Sequence, residues 1–254
     1  MKKNQNLIGR STKGRVGIVR VRTNMGEDED FWKFDMHVHT WHSGDSITDP
    51  RHIIELRKEQ GILCLVCDHN TTAGSREVYA GIQAIDPEVP RILSEEIMTG
   101  SGEIIGLFLT EEVPPYLSAA ETVDRIHDQG GLVLVPHPFC TYRTSSALRP
   151  EILDEIVGSV DIFEGYNART VRDEDNYRAR EYARAHNLPV SVGSDAHTTL
   201  ELGRCFMELA PFSTPKELLA TLRSGRPEFC LMDPKIHQVT RLVKAVKRDR
   251  LREE

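Results

Sequence analysis

The stretch FDMHVHTWHSGDS, residues 34–46, decides the fold, because it starts as an apolar strand and turns ionisable before it ends. Its thirteen residues hold three histidines and two aspartates. A core does not accept such side chains readily, since an unpaired buried charge shifts its pKa or costs several kcal/mol. His37 and His39 have only Val38 between them, so on a strand both imidazoles share one face. Either these groups face water, or something cationic draws them together.

The alternation of strands and helices continues downstream. The strand FDMHVHT (34–40) is followed by a helix over 48–61, with Thr48 or Asp49 as cap, Pro50 in its first turn and Gly61 as terminator. ILCLVCDH (62–69), PRILSEEIM (90–98), GEIIGLFL (102–109), LVLVPHP (132–138), SVDIFEGYN (159–167), LPVSVGSDAH (188–197), RCFMELA (204–210) and PEFCL (227–231) read as further strands. Helices are predicted at about 75–85, 118–131, 172–187 and 214–223, the second opened by a capping box of Ser118 and Glu121. Near-continuous apolar strands separated by helices predict a parallel sheet covered on both faces, as a barrel or a doubly wound sheet. Residues 34–231 form the single predicted domain, flanked by an N-terminal extension (1–33) and a basic C-terminal helix (232–254). Ile236, Val239, Val243 and Val246 give that helix an apolar stripe.

The chain of 254 residues is 39% apolar, enough for a sizeable core, and no run approaches the ~20 apolar residues of a membrane helix. Its basic N-terminus lacks the apolar stretch of a signal peptide, so a cytoplasmic protein without membrane contact is expected. The net charge of −7 argues against general affinity for nucleic acid. Lysines and arginines cluster towards both ends, which leaves the middle more acidic than the total. Five cysteines show no disulfide framework. Cys64 and Cys67 have the spacing of a redox or zinc pair, but they fall in an apolar strand where residues three apart face opposite ways. They read as core.

Each strand ends in polar or ionisable residues: DMHVHT, CDH, SEEI, VPHP, FEGYN and GSDAH. Parallel α/β sheets gather their sites at this edge. Six of the ten histidines (His37, His39, His42, His69, His137 and His197) occupy such positions. Asp195 and His197 repeat the spacing of His37 and His39. Imidazole with carboxylate suits Zn, Mn or Fe, whereas an all-oxygen set suits Mg or Ca, and the absence of cysteine argues against a structural zinc knot. Several carboxylates point to more than one ion, and paired metals clamp an in-line displacement at phosphorus.

In this order the motifs resemble those of the PHP (polymerase and histidinol phosphatase) superfamily, over about residues 35–200. The resemblance implies a distorted (β/α)7 barrel, two or three divalent metal ions (Mn, Fe or Zn) at the strand C-termini, and phosphoesterase chemistry through a metal-activated water. It implies that His37 and His39 share one metal with Glu96 and Asp195, and that Asp45, His69 and His197 hold another. Glu96, in Ser94-Glu95-Glu96-Ile97, would be the bridging carboxylate, and His137 would hold the remaining ion. The chain departs from the pattern at EIIG, where many relatives read HILG, so that Glu103 stands in place of a histidine ligand. SGDS likewise stands where many relatives read SDG, next to Asp45. Glu164 and Asn167 resemble a pair that supports metal-bound imidazoles.

The expected function is therefore a metal-dependent phosphoesterase acting on a small phosphomonoester or a nucleotide. Phosphate calls for arginine, and Arg143 in HPFCTYRTSS is the first candidate, with Tyr142 beside it and Arg169 second. His197, His42 or a water would protonate the departing alkoxide. His52, His127, His186 and His237 read as structural, and Tyr166 as packing. Three rivals stand beside this reading: a 3′→5′ exonuclease or other phosphodiesterase on nucleic acid, an amidohydrolase, and a non-catalytic metal-binding module that regulates a partner. The acidic middle speaks against the first, the arginine-bearing loops against the second and the nearly complete ligand set against the third. Loops 40–50, 97–103 and 139–150 would set specificity; the leaving group and the oligomeric state leave no mark in the sequence.

Overall fold

A computed structural model describes residues 31–253. Residues 1–30 of the anticipated N-terminal extension lie outside this range. The elements run β1 (Trp32–Val38), α1 (Pro50–Gln60), β2 (Ile62–Val66), α2 (Ala73–Ile85), β3 (Ser94–Thr99), β4 (Gly102–Leu107), α3 (Ala119–Asp128) and β5 (Leu132–Val135). They continue with α4 (Pro150–Ile156), β6 (Ile162–Asn167), α5 (Asp173–Ala185), β7 (Val190–Gly193), β8 (Phe206–Leu209), α6 (Pro215–Leu222), β9 (Arg226–Glu228) and α7 (Ile236–Glu253). Local chemistry explains the helix ends. Asp49 caps α1 by accepting from the Arg51 amide, and Gly61 closes it at φ 70°, a left-handed conformation that glycine adopts without strain. Ser118 and Glu121 form the capping box of α3.

The strands make two sheets, β2-β1-β8-β9 and β3-β4-β5-β6-β7. The continuous barrel implied by the resemblance is not seen. The two sheets instead meet at single bridges, His69 with Glu96 and Val38 with Ala196. Nor is the array wholly parallel: β4 runs antiparallel to both β3 and β5, and β8 antiparallel to β1 and β9. The reason lies in the turn. Thr99 pairs with Gly102 across a tight hairpin, whereas a parallel neighbour needs a crossover of a dozen or so residues. Reversal of β4 brings Glu103, at its start, to the edge where the other strands end.

Alternate residues of β5 enter different apolar clusters, Leu132 and Leu134 on one face, Val133 and Val135 on the other. This is the two-sided cover that the apolar strands predict. Cys64 and Cys67 are fully buried, as expected of core positions. No helix among the described residues is long and apolar enough to cross a membrane.

Candidate metal centre

The two seams between the sheets bring the ionisable strand ends together. At one, the Asn70 amide donates to Glu96 O (2.9 Å) and the Glu96 amide to Asp68 O (3.1 Å). At the other, the His39 amide donates to Ala196 O (2.9 Å) and the Asp195 amide to His37 O (2.7 Å). His37, His39 and His69 thus come from one sheet and Glu96, Glu103, His137 and Asp195 from the other. Two of them, His137 and Asp195, hold positive φ (32° and 54°), which costs a residue other than glycine about 1–3 kcal/mol and is typical of functional positions.

Glu96 lies at the centre. Its Oε1 is 3.0 Å from His137 Nε2 and 3.5 Å from His37 Nε2, and its Oε2 is 3.3 Å from His39 Nε2 and 3.1 Å from His69 Nδ1. Glu95 faces the other way and accepts the Val113 amide at 2.6 Å. Asp195 Oδ1 lies 3.7 Å from His37, 3.5 Å from His39 and 3.4 Å from His197. Asp45 Oδ1 lies 3.5 Å from His69 and 3.4 Å from His197. Glu103 reaches His69 at 3.6 Å and His137 at 3.4 Å. Ligand atoms held about 2.0–2.2 Å from one ion stand roughly 3–3.5 Å apart, which is the spacing found here.

Tautomers make the fit more specific. His37 Nδ1 donates to Glu164 Oε1 at 3.0 Å. His39 Nδ1 donates to Ser43 Oγ (3.1 Å), whose own proton goes to Asp68 (2.7 Å). The two Nε2 atoms lie 3.1 Å apart and face each other, converging on a point where a cation would take a lone pair from each. Asp45 Oδ1, Glu103 Oε2 and Asp195 Oδ1 are buried acceptors with no donor among the described residues. Buried acceptors of this kind are ordinarily satisfied. The donor set fits divalent cations of the Mn, Fe or Zn type.

The electrostatics agree. Burial alone would raise these carboxyl pKa values. The nearby His197 and His69 imidazoles nevertheless hold Asp45 well below the usual range, Arg143 and His37 do the same for Asp195, and His37 and His69 for Glu96. Glu164 orients two imidazole-bearing segments at once, since its Oε2 accepts the His137 amide and the Asn167 side chain (3.0 Å). The Cys67 thiol lies within 4.8 Å of ligand atoms of His37 and His39, but burial holds its pKa well above the ordinary value and it points to the Val38 carbonyl.

A cleft of about 230 Å³ opens onto the Asp45, His69, Glu103 and His197 side. Arg143 enters it, paired with Asp195, and Tyr142 lines it while 46% exposed. Arg169 also reaches it, but its guanidinium is already committed, to His197 Nδ1 and Thr240 Oγ1, with Glu201 3.3 Å away. It braces a ligand and a helix. The two histidines expected as proton donors sit differently in the structure. His42 turns away from the cleft to Glu77 on α2 (2.9 Å). His197 is deeply buried, and burial with the nearby His39 and Arg169 charges pushes its pKa down to about 3, so it arrives neutral. A neutral imidazole suits a ligand and not an acid. The sequence reading also missed His237, which lies on the cleft, packs against the Tyr142 ring (centroids 4.7 Å apart, planes tilted by 40°) and bonds Arg169 O at 2.8 Å. Asp68 was missed too; it holds the first loop through the Thr40 amide and hydroxyl, each at 2.6 Å.

Comparison with known proteins places this arrangement. Residues 173–227 match the family PHP_C, PHP-associated. The chain is 34% identical over 201 residues to Uncharacterized protein MJ0417 of Methanocaldococcus jannaschii, covering 75% of this chain and 79% of that protein. Its fold is similar to that of a two-domain protein from Bacteroides vulgatus described as containing a predicted PHP-like metal-dependent phosphoesterase (TM-score 0.59, 16% identity, 84% of this chain and 70% of that one). It is also similar to an amidohydrolase from Chromobacterium violaceum solved with bound sulfate and no metal (TM-score 0.55, 16% identity, 74% of this chain and 96% of that one). With a relative aligned along most of both lengths, a PHP-associated segment in its C-terminal half and histidine- and carboxylate-bearing strand ends in the family's order, the chain belongs to the PHP superfamily.

Proposed function

We propose that the protein is a metal-dependent phosphoesterase that hydrolyses a small phosphomonoester. The observation that carries this reading is Arg143. One arm of its guanidinium meets Asp195, while its Nε is a buried donor with no acceptor among the described residues. It faces a cleft whose other wall is the ligand set, so an anion placed there meets Arg143 on one side and the centre on the other. His37, His39, Glu96 and Asp195 would hold one ion, Asp45, His69 and His197 a second, and His137 with Glu103 the last of two or three.

When bound, divalent cations supply Lewis acidity that ionises water near neutral pH and offsets phosphoryl charge. The chain's own residues do the rest. Glu164 and Ser43, the latter held by Asp68, take the Nδ1 side of His37 and His39 and aim each Nε2 inward. Arg143 orients the phosphoryl oxygens and stabilises the charge they gain. With His197 placed among the ligands, the departing alkoxide would take its proton from water in the open cleft. A volume of about 230 Å³ is below the ~300–1,000 Å³ of most ligand sites, which favours a small monoester over a nucleotide or a nucleic-acid strand.

The test is elemental analysis of protein purified without chelator, alongside phosphate release from a panel of phosphomonoesters. Two or three Mn, Fe or Zn ions per chain, with metal and turnover both lost in His37→Ala, are expected. Less than one ion per chain, with no release after Mn is added, overturns the reading.

A further inference from the structure

Helix α7 leaves part of its apolar stripe exposed and turns a polar face to the cleft. A surface helix ordinarily buries its apolar stripe and shows its charges to water. Here Val239, Leu242 and Val246 are 41%, 66% and 47% exposed, while His237, Thr240, Arg241 and Lys244 line the cleft. Their spacing of three and four places them on one helical face. Polar tethers hold that face down. Thr240 accepts from Arg169, the buried brace of His197, His237 bonds Arg169 O, and Lys247 donates to the carbonyls of Trp41 (2.7 Å) and Ser43 (2.8 Å) in the loop that carries Asp45.

Two cations on this face lack a purpose inside the protein. Arg143 and Arg169 are matched by Asp195 and Glu201, but Arg241 and Lys244 take no carboxylate partner among the described residues. The only acids among the cleft residues are Asp45 and Glu103, both assigned above to the metal centre. We infer that Arg241 and Lys244 form a second anion subsite, so that the preferred substrate is a small phosphomonoester whose alcohol portion carries another anionic group, a phosphate or a carboxylate. This rests on the phosphoesterase reading and names the substrate class within it. The buried donor of Arg143 takes the transferring phosphoryl group; the exposed pair on α7 takes the anion of the leaving group. Both pairs of hands belong to one cleft, so a single small molecule spans them.

The experiment measures binding, independent of turnover. The metal-loaded full chain is titrated calorimetrically with propylphosphonate, phosphonobutyrate and propane bisphosphonate. At least one doubly anionic probe is expected to bind about tenfold tighter than propylphosphonate, a difference of about 1.4 kcal/mol. In Arg241→Gln/Lys244→Gln that ratio falls to near unity, and Arg241→Lys/Lys244→Arg restores it. Which of the two dianions gains tells phosphate from carboxylate. The preference should also shrink as salt rises, because the cations are exposed. A wild type that binds all three probes equally, or a Gln variant that keeps the ratio, overturns the subsite. Phosphate release separates the two readings. Discrimination without turnover on any monoester sinks the phosphoesterase and leaves the subsite, turnover without discrimination does the opposite, and failure to bind any probe removes both.

Discussion

The two sheets bring unlike chemistry to one centre. The four-stranded sheet and its loops contribute His37, His39, Asp45 and His69, which is mostly imidazole. The five-stranded sheet and its loops contribute Glu96, Glu103 and Asp195 with His137 and His197, which is mostly carboxylate. The pairs assigned above to each ion cross between the sheets, His39 and His37 meeting Glu96 and Asp195, and His69 and Asp45 meeting His197. The lesson is that the joint between the sheets and the candidate centre are one place, built from the same residues.

Perturbing Glu96, which sits on the joint and touches imidazoles of both sheets, should have the largest effect. Glu96→Gln keeps the shape and removes the charge, and phosphate release should fall by at least about 10²–10³-fold, as when a key electrostatic stabiliser is lost. A fall under tenfold would show that the sheets do not depend on this carboxylate. Next comes the metal as fastener. A chelator should lower thermal stability, by about 2.7 kcal/mol if free metal stood at a hundredfold excess over its Kd. Equal melting temperatures with and without chelator would mean that the sheets hold without it.

A subtler break is available beneath the centre. A Cβ on Gly193 would lie 2.1 Å from Glu164 Oε1 and 2.5 Å from His37 Cβ, so Gly193→Ala must displace the support of His37. Activity should drop about 10–100-fold, the usual loss when such a hydrogen-bonded partner is removed. Glu164→Gln should match it, and a mismatch would locate the damage elsewhere. The smallest effect concerns another strap between the sheets. Glu112, beyond β4, accepts from the Thr72 amide (2.8 Å) and from the Thr71 hydroxyl at the start of α2. The Thr72 amide is the main reason its carboxyl pKa lies below the ordinary 4.5. A depressed carboxyl pKa contributes stability that is present above the unfolded value and lost as pH falls through the folded one. Glu112→Gln should therefore cost about 0.3–1 kcal/mol in denaturant melts at pH 7, and the gap should close below pH 4.5. A gap that persists in acid would show that charge is not its cause.

Much of this comparison is legible in the sequence, for local reasons. His37, Val38 and His39 alternate, and Asp49, Pro50 and Gly61 mark a helix, through interactions spanning a few residues. Glu96 as against Glu95 is legible only through the family pattern, since periodicity alone cannot say which side faces the centre. The direction of β4 is written in Thr99-Gly100-Ser101-Gly102, a hairpin turn between two apolar runs, which the repeating strand-helix pattern masks. The orientation of His42 follows from Glu77 on α2, which no nearby residue announces. Helix α7 misleads for a different reason. Its stripe of Ile236, Val239, Val243 and Val246 predicts an apolar face turned inward; Ile236 and Val243 are half-buried, but Val239 and Val246 are exposed, and bonds to Arg169 and to the carbonyls of Trp41 and Ser43 seat a polar face beside them.

The seam between His37 and Asp195 also orders events in time. Beneath it the Ser194 amide donates to Asp35, a partner 159 residues away in sequence. Closing so long a loop is slow relative to forming the βα units on either side of it. During synthesis His37 and His39 emerge early, long before Asp195 and His197. The candidate centre is therefore among the last parts of the fold to be completed, because its two halves meet only when this long loop closes.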